Sequence, residues 1–291
     1  WLIIHIDDGV FLKEIILPES SRTTIIAHFP RVRYLPNYND LWTISVYNHQ
    51  ILKKSFENIK LIYNPVSPLF NLEKRKNNQI KVIGRISRND IVKIDFDVIV
   101  ALIWLSFKNY KLKLVGIPQS VKYLLNFFGN RSQISFINEI SSETDLKEFY
   151  QEIDLLIHGS FAGETFGMVI SEALSCGTPV IYSANFRKGL APHELLHESA
   201  LCSGFWNIIK KTDDYLTRNK NYVFRLGKKD FCPDVNALSL KSNKTNAYTF
   251  DYTLLSEKKS KVVFFRTYIF ITNYTIILWY LFLKTFLGIE K

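Results

Sequence analysis

The 291-residue sequence is poor in cysteine and methionine, and we expect no secretion signal. Its three cysteines, Cys176, Cys202 and Cys232, show no paired or metal-ligating spacing, so we expect buried or free thiols in a reducing, cytoplasmic compartment. No basic segment followed by a cleavage site opens the chain, which argues against a secretory leader. Because the chain starts at Trp1 and its only methionine is Met168, we expect an N-terminally incomplete fragment.

A nucleic-acid recognition motif is also lacking. The formal net charge is +10, but the cations are spread along the chain and form no basic stripe with interleaved aromatics. No nucleic acid partner is therefore expected. A phosphate-bearing small molecule or an anionic membrane surface fits this charge better.

Long apolar runs are scarce, and the main one is TYIFITNYTIILWYLFL at Thr267–Leu283. Its length is at the lower limit for crossing a bilayer, and Thr272, Asn273 and Thr275 make it less apolar. We favour a buried or interfacial helix over 267–283, with a membrane-spanning helix as the alternative.

The composition, with 47% apolar and 22% charged residues, is typical of a globular protein. Short runs rich in β-branched residues alternate with helical patterns. Several runs are almost continuously apolar, as in parallel strands covered on both faces. The alternation predicts an α/β fold with open, doubly wound sheets. The predicted strands are Leu2–Ile6, Thr23–Ala27, Leu41–Val46, Leu61–Tyr63, Gln79–Gly84, Lys111–Gly116, Ile134–Ile137, Leu155–His158 and Thr178–Tyr182. The predicted helices are His49–Phe56, Phe96–Phe107, Ser120–Phe128, Thr144–Tyr150 and Phe166–Cys176.

A domain boundary is predicted at Asn64–Lys76, where proline, asparagine and charged residues cluster without periodicity. We expect a partial Rossmann-like domain over residues 1–75 and a second Rossmann-like domain over residues 76–205. Residues 206–291 would form a weakly patterned C-terminal region.

The most informative stretch is GETFGMVISEALSCGTPVI, Gly163–Ile181. Glycines flank a turn that opens into a helix, where unpaired backbone N–H groups and the positive end of the helix dipole suit a phosphate. Glu164 lies in the turn and Glu172 in the helix. Dipole compensation alone would explain Glu172, but not a glycine-rich turn that follows a strand. A carboxylate at this place suits the vicinal hydroxyls of a ribose.

This stretch resembles the E-x7-E signature of retaining glycosyltransferases with the GT-B fold, in the large family 4 (group 1) that includes sucrose and mannosyl transferases. The two acids, F-G, E-A, C-G and P-V-I stand at the family's spacing. VIGRISRND, KLKLVGIP, FYQEIDLLIHGS and IYNPVSP are similar to further family segments in the same order. The resemblance covers about Thr23 to Cys202 and implies a GT-B type fold of two Rossmann-like domains, the first only partly present.

For function, the resemblance implies transfer of a hexose from a nucleotide-diphosphate donor to an acceptor hydroxyl, with retention of anomeric configuration. Residues 76–205 would bind the UDP-, GDP- or ADP-sugar donor, and residues 1–75 would lie on the acceptor side. The acceptor would be a glycan or a lipid-linked molecule. The basic charge and the apolar C-terminal run favour a position at the cytoplasmic face of a membrane.

The phosphate-binding cations are implied by the same resemblance. Arg85 matches the arginine that binds the donor's diphosphate. The lysine that accompanies it in many members is replaced by Asp90, which leaves Lys93 or Arg88 as the second cation. Two cations opposite a helix N-terminus would neutralise the leaving diphosphate without a metal, so neither a metal nor another cofactor is expected.

The two acids receive separate roles. Glu172 corresponds to the glutamate that holds the ribose hydroxyls, and Glu164 to the one that binds a sugar hydroxyl or stabilises positive charge at the anomeric carbon. The backbone amides of Phe166, Gly167 and Met168 would contact the phosphate or the sugar.

Weaker candidates lie outside the signature. Glu194 matches a position that sometimes approaches the nucleotide, with a surface acid as the alternative. His28 suits either the cleft or a structural role. Asn48 and His49 stand where the family usually has an Asn–Ser pair, and no catalytic role is expected of them.

Two other functions stay open. One is a catalytically inactive remnant that binds a nucleotide-sugar, which Asp90 in place of lysine and the weak pattern after Ser203 favour. The other is an epimerase or a phosphorylase of the same fold.

Overall fold

The computed structural model describes residues 2–6, 23–28, 38–71, 78–161, 163–184 and 191–218, all within one compact unit, Trp1–Leu238. They form two parallel β-sheets flanked by helices. The α/β class expected from the sequence is therefore confirmed. The apolar run at 267–283 lies outside the described residues. Within the described ranges, no helix has the length and apolar character needed to cross a membrane.

The N-terminal lobe is a four-stranded sheet with strand order β1-β2-β3-β4. One helix, α1 (Val46–Leu52), lies between the last two strands in sequence. Ile25 and Leu41 pair in register and form a small core with Ala27 and Leu52. The strands are β1 (Leu2–Ile6), β2 (Thr23–Ala27), β3 (Asp40–Thr43) and β4 (Ile59–Leu61).

The C-terminal lobe is a six-stranded sheet with strand order β10-β9-β8-β5-β6-β7. Its strands are β5 (Lys81–Ile86), β6 (Tyr110–Val115), β7 (Ile134–Ile137), β8 (Leu155–His158), β9 (Val180–Ser183) and β10 (Leu201–Cys202). Its α-helices are α2 (Phe96–Leu105), α3 (Gln119–Phe128), α4 (Glu143–Glu152), α5 (Met168–Ser175), α6 (Ala191–Leu195) and α7 (Phe205–Arg218).

The strand order of this sheet places a ligand site at the boundary between β5 and β8. From β5 the chain adds β6 and β7 on one side and then returns to add β8, β9 and β10 on the other. In open parallel sheets, ligands bind beyond the carboxyl ends of the strands at such a reversal. β5 ends at Ile86 and β8 at His158, so their last residues face this position.

A continuous apolar cluster spans both lobes. Ile44 and Phe70, from the N-terminal part, belong to the same buried cluster as Tyr150 and Phe166 of the C-terminal lobe. The rings of Phe70 and Tyr150 meet edge to face with their centroids 6.1 Å apart. The hydrophobic effect therefore acts across the junction as well as inside each lobe.

All nine predicted strands are present, and β1, β2, β7 and β8 have the predicted bounds. α1 starts earlier than predicted, because the side chain of Ser45 accepts a hydrogen bond from the backbone N–H of Asn48 and fixes the helix start. α5 starts later, because Gly167 has a left-handed backbone. Of the described strands and α-helices, β10, α6 and α7 lie outside the predicted set, as do three short 3-10 helices.

α7 shows why a polar sequence can still form a core element. Its lysines and aspartates lie beside a buried stripe that includes Ile208 and Ile209. Trp206 of α7 and Trp104 of α2 pack with ring centroids 5.1 Å apart. The apolar stripe packs the helix on α2 although the average composition is polar, and Asp213 adds hydrogen bonds from Lys108 and Tyr110.

Candidate functional site

The turn between β8 and α5 is shaped by two glycines with positive φ, Gly163 at 79° and Gly167 at 93°. Residues with a side chain are strained at positive φ, and a Cβ at Gly167 would also lie 3.1 Å from Ile170 Cδ1. Gly167 occupies the N-cap position of α5 and supplies no side-chain cap. The first N–H groups of α5 therefore have no side-chain acceptor at the cap, as an anion-binding turn requires.

Glu164 lies in this turn within a cluster of cationic and imidazole groups. Its side chain is 14% exposed, and its Oε1 is 3.6 Å from Lys93 Nζ and 3.4 Å from His158 Nε2. Burial acts to raise the pKa of Glu164, but the hydrogen bond from His158 and the charges of Lys93 and Arg85 lower it and outweigh burial. The net pKa is below the usual value, so Glu164 is a carboxylate at neutral pH.

His158 connects Arg85 to Glu164. Arg85 Nη1 lies 3.3 Å from His158 Nδ1, and arginine is only a donor, so Nδ1 acts as the acceptor. The imidazole proton is then on Nε2, which faces Glu164. Burial lowers the pKa of His158, with the hydrogen bond and charge of Glu164 acting in the opposite direction. A neutral histidine with a fixed tautomer therefore holds the carboxylate.

Arg85, predicted to bind diphosphate, is fully buried. Its guanidinium donates to the backbone carbonyls of Ile86 at 3.3 Å, Gly159 at 3.3 Å and Lys93. Burial lowers its pKa to about 10, although Glu164 and other acids oppose this shift, so it stays cationic at neutral pH. The Nη donors of Arg85 are thus engaged by these carbonyls and by His158, while its buried Nε has no acceptor among the described residues. Phosphate contact through the Nη atoms would require the guanidinium to leave these partners.

Lys93 is the only one of the two second-cation candidates that lies in the cluster. It ends the short 3-10 helix Ile91–Lys93, which Asp90 caps by accepting from the backbone N–H of Val92 at 3.1 Å. Arg88 is exposed on the preceding loop. The residue at the family's lysine position is therefore a helix cap, and that short helix presents Lys93 to Glu164.

Glu172 is half-buried on α5 in a different environment. The hydroxyl of Tyr150, from α4, donates to Glu172 Oε2 at 2.8 Å. Burial raises the pKa of Glu172, the Tyr150 hydrogen bond lowers it, and the charge of Glu143 raises it, with a net upward shift. Burial also raises the pKa of Tyr150 well above its usual value, so its hydroxyl stays a donor.

The residues around the turn are held by the other lobe. Phe166 is buried, and its ring centroid lies 5.9 Å from that of Tyr63. Met168, the first residue of α5, is half-buried against the same cluster. The apolar side chains of Phe166 and Met168 thus pack in the core, and the polar groups of the turn are its backbone amides and the side chains of Glu164 and Thr165.

Glu194 has an inter-lobe role that the sequence did not suggest. Its carboxylate accepts from the backbone N–H groups of Val46 at 2.9 Å and Tyr47 at 3.0 Å, at the start of α1. Tyr63 donates its hydroxyl to Glu194 Oε2 at 3.4 Å. The contact is with the N-terminal lobe rather than with solvent.

The other weak candidates lie near α1. Asn48 is buried and donates from Nδ2 to the backbone carbonyl of His28 at 2.9 Å. His49 Nδ1 is 3.4 Å from Thr43 Oγ1. These contacts join α1 to the ends of β2 and β3.

Sequence reasoning overlooked two acids spaced as metal ligands often are, Asp95 and Asp97. Asp95 is buried, caps α2 by accepting from the backbone N–H of Asp97, and accepts from Ser183 Oγ at 2.9 Å. Asp95 therefore caps α2 and links this helix to strand β9. Across the described ranges no three His, Cys, Asp or Glu side chains converge in the manner of a metal site. His158 was overlooked too, and its position as the last residue of an apolar strand was the available signal.

Comparisons with known proteins find similarity over the segment that contains this site. Residues 70–191, less than half of the chain, match the family model described as Glycosyl transferases group 1. This segment is similar to group 1 glycosyltransferases. It contains Arg85, Lys93, Glu164 and Glu172. A search of curated proteins finds no match.

Solved structures share the fold at low identity. Sucrose-phosphate synthase from Thermosynechococcus elongatus is 18% identical, with a TM-score of 0.56 over 67% of this chain and 58% of that chain. Anabaena Alr3699/HepE in complex with UDP and glucose is 17% identical, with a TM-score of 0.56 over 68% of this chain and 63% of that chain. A glycosyltransferase from Rickettsia africae ESF-5 is 20% identical, with a TM-score of 0.51 over 66% of this chain and 59% of that chain.

These similarities confirm the GT-B type fold expected from the sequence. The chain spans less than two thirds of the length of each of these relatives. At such identities the likeness concerns the fold, and function has to be argued from the site.

Proposed function

We propose that this protein is a group 1 glycosyltransferase that moves a sugar from a nucleotide-diphosphate donor to an acceptor hydroxyl. The observation that carries the proposal is an ionised Glu164 beside Lys93, in a glycine turn that opens into α5. The family match across this turn supports it.

The donor would be bound by three groups of the C-terminal lobe. The backbone amides of Phe166, Gly167 and Met168 would bind the diphosphate together with Lys93, because the helix dipole and the cation both favour negative charge. Glu172 would accept hydrogen bonds from the ribose hydroxyls. Tyr150 holds one of its oxygens in place, which reduces the entropy lost on binding.

The transfer step needs no protein base. The bond between the anomeric carbon and the diphosphate oxygen would break, and the acceptor oxygen would bond to that carbon from the same side. The acceptor's proton would pass to a phosphate oxygen, and the configuration would be retained. Glu164 would stabilise positive charge at the anomeric carbon, because its lowered pKa makes it a poor proton donor.

Neutralisation of the diphosphate by Lys93 and the amides of α5 would make the reaction independent of a metal ion. Turnover that persists in excess EDTA would support this part of the proposal. Turnover that requires added Mn²⁺ or Mg²⁺ would contradict it and leave the transferase function intact.

The similarity to solved structures suggests the donor, and the charge of the chain suggests where the acceptor lies. UDP is the first nucleotide to test, because the Anabaena relative was solved in complex with UDP and glucose, with GDP and ADP as alternatives. The acceptor would be a glycan or a lipid-linked hydroxyl at the cytoplasmic face of a membrane, toward which the net charge of +10 would draw the protein.

A second candidate is a protein that binds a nucleotide-sugar without transferring it. The observation that favours it is the buried guanidinium of Arg85, whose Nη donors are engaged by protein carbonyls and by His158. The two candidates share the donor site and differ only in turnover.

Thermal-shift measurements with UDP, GDP and ADP test the donor site, since a ligand that binds only the folded state raises the melting temperature. We expect one nucleotide to stabilise the protein and Glu172→Ala to abolish that stabilisation. Glu148→Ala, an exposed acid on α4, is the matched control. If no nucleotide stabilises the protein, the donor site is wrong. Stabilisation without release of UDP from a UDP-sugar would favour the second candidate.

A further inference from the structure

The carboxylate of Glu194 joins the two lobes at the first turn of α1. The backbone amides of Val46 and Tyr47 donate to it, while Ser45 Oγ accepts from the backbone N–H of Asn48. The N-terminal amides of α1 are thus shared between a cap from their own lobe and a carboxylate from the other. A charged acceptor is stronger than a neutral one and is further favoured by the helix dipole.

The same carboxylate is linked to the glycine turn. Tyr63 donates to Glu194 Oε2 at 3.4 Å, and its ring lies against Phe166. Phe166 directly precedes Gly167, the N-cap of α5. The start of α1 is therefore connected to the start of α5 through Glu194, Tyr63 and Phe166.

We propose that Glu194 is a positioning residue that holds the N-terminal lobe against the turn before α5. If the lobes part, the amides of Val46 and Tyr47 lose a charged acceptor and regain only water. From the typical strength of charge-assisted hydrogen bonds, this contact favours the joined arrangement about ten- to hundredfold. This contact adds to the apolar packing that joins the two lobes.

The consequence for catalysis rests on the proposed function. The donor groups, Lys93, Glu164, Glu172 and the amides of the turn, all belong to the C-terminal lobe, whereas the acceptor would approach from the N-terminal lobe. Loss of Glu194 should therefore disturb the alignment of acceptor and donor more than it disturbs donor binding. A fall in kcat with a nearly unchanged donor KM is the expected signature.

Hydrogen exchange on the full chain tests the contact without a substrate. In Glu194→Ala we expect the amides of a peptide covering residues 45–52 to exchange about ten- to hundredfold faster, and those of a peptide covering 163–169 to exchange faster too. Glu194→Gln keeps an acceptor oxygen and should give a smaller change. Glu198→Gln, an exposed acid four residues away, should change neither peptide.

Ser45→Ala separates coupling from simple helix capping. It removes the cap from the same lobe, so it should speed exchange in 45–52 and leave 163–169 unchanged. If Glu194→Ala behaves in the same way, Glu194 is only a cap, and the proposal is overturned. Unchanged exchange in both peptides overturns it as well. Should Glu194→Ala fail to fold, Glu194→Gln and Tyr63→Phe provide the same comparison.

Failure of this inference and failure of the proposed function give different results. Faster exchange in both peptides of Glu194→Ala supports the coupling. If neither the unsubstituted protein nor any variant shows turnover, the transferase is contradicted while the coupling stands. Turnover with equal kcat in Glu194→Ala and the unsubstituted protein supports the transferase and overturns the positioning role.

Discussion

Glu164 and Glu172 stand at the two ends of one short sequence motif, yet the protein shifts their pKa values in opposite directions. Burial acts to raise both. Glu164 overcomes it because His158, Lys93 and Arg85 surround it. Glu172 does not, because its hydrogen bond from Tyr150 is neutral. The charge of the neighbours, and not the depth of burial, decides which acid stays ionised.

This difference separates the roles of the two acids. A carboxylate with a lowered pKa keeps its charge through any mildly acidic condition and can stabilise positive charge in a transition state. A carboxylate with a raised pKa is a weaker electrostatic group but accepts and orients hydroxyl donors. Substitutions at each acid and at its neighbours test that division.

The largest expected effect is on the rate after Glu164→Gln. The amide keeps the shape of the side chain but removes the charge next to Lys93. If Glu164 stabilises developing positive charge, kcat should fall about 10²- to 10³-fold, while the affinity for UDP changes less than about threefold. Steady-state kinetics and calorimetric titration measure the two quantities. An unchanged kcat would exclude an electrostatic role.

Glu172→Gln should show the reverse pattern. One carboxylate oxygen is replaced by a donor group, so binding of the ribose hydroxyls weakens and the affinity for UDP falls about tenfold. Saturating donor should restore most of kcat. Calorimetric titration of UDP into Glu172→Gln and into the control Glu148→Gln provides the test. Equal affinities would place the ribose elsewhere.

The pH dependence of stability should differ in sign between the two acids. A depressed pKa gives stability that is present above the unfolded-state pKa and lost as pH falls through the folded-state pKa. A raised pKa gives stability that is present below the unfolded-state pKa and lost as pH rises through the folded-state pKa. From neutral pH down to about pH 4, near the reference pKa of glutamate, the stabilisation relative to Glu164→Gln should shrink, and that relative to Glu172→Gln should grow.

Urea unfolding of the three proteins at both pH values measures these differences. Parallel pH profiles for the two variants would show that the neighbours do not separate the acids. An inverted order would contradict the environments derived from His158 and Tyr150.

The sequence could predict the two acids but not the neighbours that set their pKa values. The spacing of Glu164 and Glu172, together with Gly163 and Gly167, predicted the turn, the helix and both candidate residues, because these features are local. The neighbours that set the pKa values come from distant strands and helices. Tyr150 precedes Glu172 by a strand and a turn, and His158 looked like the end of an apolar strand. Their contacts depend on packing that no local pattern contains.

The fold shows the same limit. Strands β1, β2, β7 and β8 were predicted to the residue because apolar runs bounded by polar turns are local signals. α7 was not predicted, because its polar composition conceals the stripe that packs on α2. The partner of Glu194 lies 148 residues away in sequence, at Val46, which only the folded chain brings close.

The smallest expected effect concerns Tyr150→Phe, which removes only the hydroxyl that faces Glu172. Burial of Glu172 remains and its hydrogen bond is lost, so its pKa should rise further. Donor affinity at neutral pH should fall about two- to fivefold, and more steeply as pH falls, because a larger fraction of Glu172 is protonated. Titration of UDP into Tyr150→Phe at two pH values measures this, with Tyr123→Phe, an exposed tyrosine on α3, as the control. If the affinity of Tyr150→Phe falls without any pH dependence, the Tyr150 hydroxyl orients the carboxylate of Glu172 without setting its pKa, and the difference between the two acids rests on Glu164 and its cations.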